Sequence, residues 1–315
     1  MTKREVVLGI DIGGTNTAFG LIDRAGEVSF SCEYPTNSSK PITTLLGKIF
    51  SIVQPELTDC HLRGVGVGAP NADHLQGTIE DPPNLEWERV DLRAAIGEYS
   101  DLPVSVINDA NAAALGEAFL GSARKYRSFL QVTLGTGIGT GVVLNGELWQ
   151  GEHGFAGEIG HSIVEPKGRQ CGCGRLGCLE TYASASGLVR NLIEQKPYFP
   201  ESILLQRDPE SISASDVYEA AQRDDKAALA AFEMAGKYLG LALANATTLL
   251  DLEAFVLSGG VALAGEFLLD PVRRHFDDNL LDIYRGGVEV VLSELKGADA
   301  AVLGAAAFAW QELKR

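Results

Sequence analysis

Residues 161–180, HSIVEPKGRQCGCGRLGCLE, hold three of the chain's five cysteines behind a histidine. Three chemistries use such a set: a redox centre, a disulfide knot or a metal clip. A thioredoxin-type redox pair needs C-x-x-C, which is absent. Glycine-rich turns carry a second kind of chemistry. In GIDIGGTNTAFGLID, a strand enters a turn on Gly13 and Gly14 and a second strand leaves through Thr15, Asn16 and Thr17. Glycines admit close backbone approach, and successive N–H groups with a threonine hydroxyl form an anion nest. Asp11 ends the first strand beside that nest, where a carboxylate can hold a hydrated Mg2+ on phosphates. A plain Gly-Gly hairpin turn accounts for the same residues. TLGTGIGTGVVLNGEL repeats the pattern from Thr133, with Gly135, Thr136, Gly137 and Gly139 in its turn. Neither stretch matches GxxxxGK[ST] or opens a helix in a GxGxxG context, so P-loop and Rossmann readings fail. A third glycine pair, Gly259 and Gly260 in FVLSGGVA, can let a base or ribose lie against the backbone, or can be a helix-opening turn. In VSVINDANAAALGEAF a buried strand ends just before Asn108 and Asp109. Open α/β sheets deliver ligand-binding residues at such strand ends. Asp109 therefore reads either as a general base accepting the proton of an attacking hydroxyl or as a helix N-cap.

These residues need elements to hold them. Short β-branched stretches at Val6–Ile10, Arg63–Gly68, Val104–Ile107, Phe129–Thr133, Thr140–Leu144, Ala254–Leu257 and Glu289–Leu292 read as strands. Ala-rich stretches at Asn111–Leu120, Asp225–Leu250 and Asp299–Leu313 have the 3.6-residue apolar spacing of helices. Such alternation is α/β, and no internal repeat interrupts it. The 315 residues suggest about two domains at roughly 150 residues each.

Composition excludes several classes of function. A net charge of −16 opposes nucleic acid, whose affinity comes from lysine and arginine neutralising phosphates. The N-terminus lacks the apolar core and small-residue cleavage site of a secretion signal. No run of about 18 apolar residues occurs, so no membrane span is expected and the chain reads as cytoplasmic.

The motifs DIGGT, INDAN, LGTGIGTG, GEIGH, CGCGRLGCLE and LSGG, in this order, resemble the ROK family of sugar kinases and repressors, most closely its bacterial glucokinases. The resemblance spans nearly the whole chain. It implies an actin-like, ribonuclease-H-like fold of two α/β lobes, with ATP and a hexose bound in the cleft between them. We expect residues 1–120, completed by the C-terminal helix 299–315, to form the N-terminal lobe, and 121–298 the C-terminal lobe. By resemblance Asp109 is the catalytic base, and Asn108, Glu158, His161 and Glu180 line the sugar site. Asp11, Gly13, Gly14, Thr15, Thr133, Gly135, Thr136, Gly259 and Gly260 fall on its nucleotide and phosphate motifs.

The cysteine block then reads as a metal clip. His161, Cys171, Cys173 and Cys178 have the ligand count of a closed, structural Zn2+ site. Glu158 and Glu180 flank the ligands and would be aimed by the clip at one pocket, and His161 could bind zinc through one ring nitrogen and a sugar hydroxyl through the other. In GVGVGAPNADHLQGTIEDPPNLEW, Asn71 stands where many members have glycine; a side-chain amide there would add a sugar hydrogen bond or crowd a bulky C2 substituent, favouring glucose over N-acyl hexosamines. Asn84 is a further sugar-contact candidate. The expected function is an ATP- and Mg2+-dependent hexokinase, glucokinase first, with N-acyl hexosamine or fructose kinases as alternatives. A sugar-sensing regulator is the alternative of another class, opposed by the charge and by a first hairpin that begins by Gly9, leaving no room ahead of it for a helix-turn-helix. The resemblance also implies a homodimer or homotetramer, with the Asp225–Leu250 helix as one assembly surface.

Overall fold

Alternation from Val6 to Ile12 divides the first strand between two cores. Val6, Leu8, Ile10 and Ile12 are wholly buried on one face, and Val7 on the other. The structure, a computed structural model, describes residues 3–82, 85–295 and 299–314. The chain runs through β1 (Arg4–Ile12), β2 (Asn16–Ile22), β3 (Val28–Pro35), α1 (Ile42–Val53), β4 (Cys60–Ala69), β5 (Ala72–Asp73), β6 (Thr78–Glu80) and β7 (Arg89–Asp91). There follow α2 (Leu92–Gly97), β8 (Val104–Asn108), α3 (Asp109–Phe119), β9 (Phe129–Leu134), β10 (Ile138–Leu144) and β11 (Glu147–Leu148). The remainder holds α4 (Glu180–Ala183), α5 (Ala185–Glu194), α6 (Ala214–Ala221), α7 (Lys226–Leu250), β12 (Ala254–Ser258), α8 (Glu266–Asn279), β13 (Glu289–Leu292) and α9 (Asp299–Glu312).

Two compact units result. One comprises Met1–Lys125, Gly141–Ala156 and Glu294–Arg315; the other comprises Tyr126–Thr140 and Gly157–Ser293. The first unit has a sheet of order β3-β2-β1-β4-β8, in which β1, β4 and β8 are parallel. On one face, Ile42, Leu45, Leu46 and Ile49 of α1 and Leu92 and Ile96 of α2 cover the even-numbered residues of β1. Each such buried Leu or Ile stabilises by roughly 1.5–3 kcal/mol relative to exposure. On the other face, Val302, Leu303, Ala306 and Trp310 of α9 cover Val7 and Ile22. α9 approaches at backbone contact, because a Cβ at Gly304 would overlap the carbonyl of Ala112 in α3. Small residues are what admit so close an approach in a densely packed interior.

In the second unit β9, β12 and β13 are parallel neighbours. β10 adjoins β9, and the boundary between the units falls inside it, after Thr140. α7 packs on α5 and α8. It is long and apolar enough to cross a membrane by length and composition. It is nonetheless a core helix: Ala231, Phe232, Ala235, Leu239 and Leu243 are all but inaccessible. Leu229, Lys237, Asn245, Thr248 and Leu249 are among its exposed positions.

Candidate functional site

In the first unit, the C-terminal ends of β1, β4 and β8 lie side by side. Asp11 pairs in register with Gly68, and Ala69 with Asn108, so parallel pairing delivers Asp11 and the Asn108–Asp109 pair to one edge. Asp11 also abuts Gly68 across the sheet, where an added Cβ would sit 3.7 Å from its Oδ1. The turn from β1 to β2 is pinned from a distance: Thr36 Oγ1 donates to Gly13 O at 2.7 Å, and Thr36 N to Thr15 O at 2.9 Å. Gly14 and Thr15 remain exposed at its tip.

The helix N-cap is Asn108 and not Asp109. Asn108 Oδ1 accepts from Ala110 N at 3.0 Å and Asn111 N at 3.4 Å, the usual service of a capping asparagine. Asp109 is the first helical residue, half-buried, with one carboxylate oxygen taking Ala110 N at 2.8 Å. Burial raises the Asp109 carboxyl above its ordinary value. Burial, then the charge of Asp109, pushes the Asp11 carboxyl up from 3.8 to about 7. The charge of Asp109 disfavours the ionised form of Asp11, and a cation or a proton relieves that.

The sign of the pH effect follows. A raised carboxyl keeps its proton in the folded chain after the unfolded chain has released it, so this group's stabilisation is complete below 3.8 and is lost as pH rises through about 7. Asp11→Asn, which cannot titrate, should flatten that loss in urea midpoints measured across this range. An unchanged slope would assign the titration elsewhere.

Asn71 also serves the turn in which it sits. Its φ is +53°, the left-handed region that glycine and asparagine tolerate best. Its Nδ2 donates to Glu80 O at 3.2 Å and Asp81 O at 3.0 Å, so both amide protons hold a turn. Nδ2 is therefore engaged, and Oδ1 remains as the acceptor that could meet a sugar hydroxyl. Asn84 lies outside the described residues.

In the second unit, the four expected metal ligands converge. The donor atoms of His161, Cys171, Cys173 and Cys178 all lie within 4.8 Å of one another. Cys173 Sγ is 3.6 Å from Cys178 Sγ, and Cys171 Sγ is 3.7 Å from His161 Nδ1. Zinc with Zn–S of about 2.3 Å and Zn–N of about 2.0–2.1 Å at tetrahedral angles sets these edges at about 3.8 and 3.6 Å. The set fits a tetrahedral cation. Hydrogen bonds from Arg175 hold Cys173 down to about 6, while burial pushes Cys178 up to about 12. A bound cation deprotonates coordinating thiols outright.

The loop is braced from outside. Arg169 lies over the Tyr182 ring at 4.4 Å, and its guanidinium donates to Glu194 Oε1 at 2.9 Å and Asn191 Oδ1 at 2.7 Å. Neither this brace nor Thr36 carries a local sequence signal, because both act across the chain.

Glu158 and Glu180 flank the clip on different sides. His161 closes a one-turn 3₁₀ helix, Ile159–His161, that Glu158 precedes. Its Nε2, the nitrogen away from the cysteines, is 4.0 Å from Glu158 Oε2. Glu180 Oε1 lies 3.8 Å from Cys171 Sγ, and Glu180 Oε2 accepts from Ile138 N at 3.1 Å. Glu180 thus joins the clip to the end of the glycine turn between β9 and β10. That turn is stitched at three further points: Ala185 N donates to Gly135 O at 2.8 Å, Ser186 Oγ to Thr136 O at 3.5 Å, and Val261 N to Leu134 O at 3.0 Å. Gly259, at φ +86°, presses on the Leu134 backbone where any side chain would collide. Thr133, Gly135, Thr136, Gly259 and Gly260 are thereby gathered at the ends of β9 and β12, although Gly259–Gly260 also opens a short 3₁₀ turn, Ala262–Ala264, ahead of α8.

Residues 7–312 match the ROK family. The chain belongs to the ROK family. A glucokinase of Halalkalibacterium halodurans is 39% identical over 306 residues, covering 94% of this ROK chain and 92% of that protein. A ROK family glucokinase from Streptomyces griseus, solved with glucose and AMPPNP, is 34% identical with a TM-score of 0.79, covering 97% of this chain and 99% of that one. A ROK hexokinase from Thermus thermophilus is 32% identical with a TM-score of 0.83, covering 98% and 99%. The fold of this ROK protein is accordingly the actin-like α/β fold.

Proposed function

We propose that this ROK protein is a cytoplasmic, ATP-dependent glucokinase that converts D-glucose to glucose 6-phosphate and acts as a homodimer or homotetramer. The observation that carries the reading is the half-buried Asp11–Asp109 pair at the ends of three parallel strands, with Asp109 opening α3. Similarity to a glucokinase solved with glucose and an ATP analogue supports the choice of substrates. Asp109 accepts the proton of the glucose 6-hydroxyl as its oxygen bonds to the γ-phosphorus. The bond from phosphorus to the bridging oxygen breaks, and ADP leaves with that electron pair. Asp11 would hold the magnesium that accompanies ATP, an ion that supplies neutralisation of phosphate charge. Gly13, Gly14 and Thr15 in the first unit, and Thr133, Gly135, Thr136, Gly259 and Gly260 in the second, bind the nucleotide through backbone N–H groups and hydroxyls.

For the sugar, Asn108 spends Oδ1 on its cap and keeps Nδ2 as a donor. Glu158, Glu180 Oε1 and His161 Nε2 take hydroxyls in the second unit. His161, Cys171, Cys173 and Cys178 would hold a zinc ion, which supplies structural rigidity to this loop.

ADP release with ATP and Mg2+ should be fastest with glucose among glucose, mannose, fructose, N-acetylglucosamine and N-acetylmannosamine. Preference for an N-acyl sugar would replace the substrate but keep the kinase. ATP binding with no turnover of any sugar would favour a sensor.

A further inference from the structure

Three polar side chains meet where β9 and β12 end. Gln131 of β9 is wholly buried, and its Nε2 lies 2.8 Å from Thr133 Oγ1 and 2.7 Å from Ser258 Oγ. Thr133 and Ser258 are register partners, and their hydroxyls stand 3.3 Å apart. Gln131 Oε1 has no hydrogen-bond partner among the described residues. An orphaned buried acceptor is costly, and an apolar side chain of the same volume would avoid that cost. The amide is therefore more than core filling.

Proton counting says what it does. An amide nitrogen has two donors and accepts nothing, while a hydroxyl has one proton and two lone pairs. Both hydroxyl oxygens accept from Nε2, so neither of their own protons goes to Gln131. A mutual contact between the hydroxyls consumes at most one of the two protons. At least one is left for a partner outside this trio, and accepting a bond makes a hydroxyl a stronger donor in turn. Thr133 stands two residues before Gly135, and Ser258 directly precedes Gly259, so the spare proton arises where the two glycine turns begin.

We propose that Gln131 is a positioning residue that fixes Thr133 and Ser258 as donors to the phosphate oxygens of a nucleoside triphosphate. The proposal rests on the kinase reading and adds to it a residue that itself touches no substrate. Bonds from the two hydroxyls to phosphate are charge-assisted and hence sensitive to where those protons point.

Gln131→Met keeps the volume and removes the donors. Titration calorimetry with ATP, ADP, adenosine and glucose separates the roles. ATP and ADP should bind at least about tenfold more weakly, with adenosine and glucose within about twofold of wild type. Ser258→Ala, which leaves the buried amide in place, should show the same split, and the double variant should lose no more than the worse single. Wild-type ATP affinity in both single variants would overturn the inference alone. So would equal losses on all four ligands, which mark a packing role. A wild-type protein that binds no ATP would instead remove the kinase reading and this inference with it.

Discussion

Asp109→Asn should bind glucose and ATP almost as wild type does while kcat falls by about 10²- to 10⁴-fold, the usual contribution of a positioned general base. The fold has little reason to object. Asn108, and not Asp109, caps α3, and an asparagine at the first helical position can still accept from Ala110 N as Asp109 Oδ1 does. What the amide cannot do is take a proton from the attacking hydroxyl. Asp11 should also titrate lower in this variant, because the charge of Asp109 is one of the two causes that push it up to about 7. Single-turnover phosphoryl transfer, glucose affinity and thermal midpoint together test the assignment. Near-normal turnover would remove Asp109 as the base.

Cys173→Ser should abolish stoichiometric zinc, raise KM for glucose, and raise KM for ATP as well. The first effect follows from losing one of four ligands of a closed site, and even outer partners of a metal are worth about 10- to 100-fold in affinity. The second follows from slack at His161 and Glu180, which lie against Cys171 on two sides. The third comes from the other oxygen of Glu180, which holds Ile138 N at the end of the glycine turn. Cys173 is the exposed member of the set, so its replacement opens no core cavity. Metal analysis by mass spectrometry reads the first effect and steady-state kinetics the others. A zinc-free variant with wild-type KM values would show the clip to be dispensable.

Much of this was legible because the periodic, β-branched segments also have strong neighbours. β1, β4, β8, β9, β12 and β13 overlap their expected spans, as do α3, α7 and α9, within the few residues by which element ends vary. Not anticipated were β3, an edge strand whose residues alternate only between exposed and half-buried, and α1, whose Ile42, Leu45, Leu46, Ile49 and Val53 have helical spacing but include β-branched residues around Gly47. At the site, local motifs located Asp11, Asp109 and the ligand set. The roles of Asn71 and Asn108 were not readable, because both depend on which backbone groups tertiary pairing leaves in need of a partner. Gln131 looked like one more residue of a buried strand, and its polarity mattered only once β12 brought Ser258 beside Thr133.

The return of α9 to the first unit has a consequence in time. Its residues lie at the far end of the chain, yet Val302, Ala306 and Trp310 are the cover for Val7 and Ile22 near the beginning. During synthesis at about 5–20 residues per second, that face of β1 and β2 waits roughly ten seconds or longer after α3 has emerged. The second unit can fold in the interval. The first unit is therefore the later to finish although it is the first to be made, and a chaperone that shields exposed strands would find its longest opportunity on Val7 and Ile22.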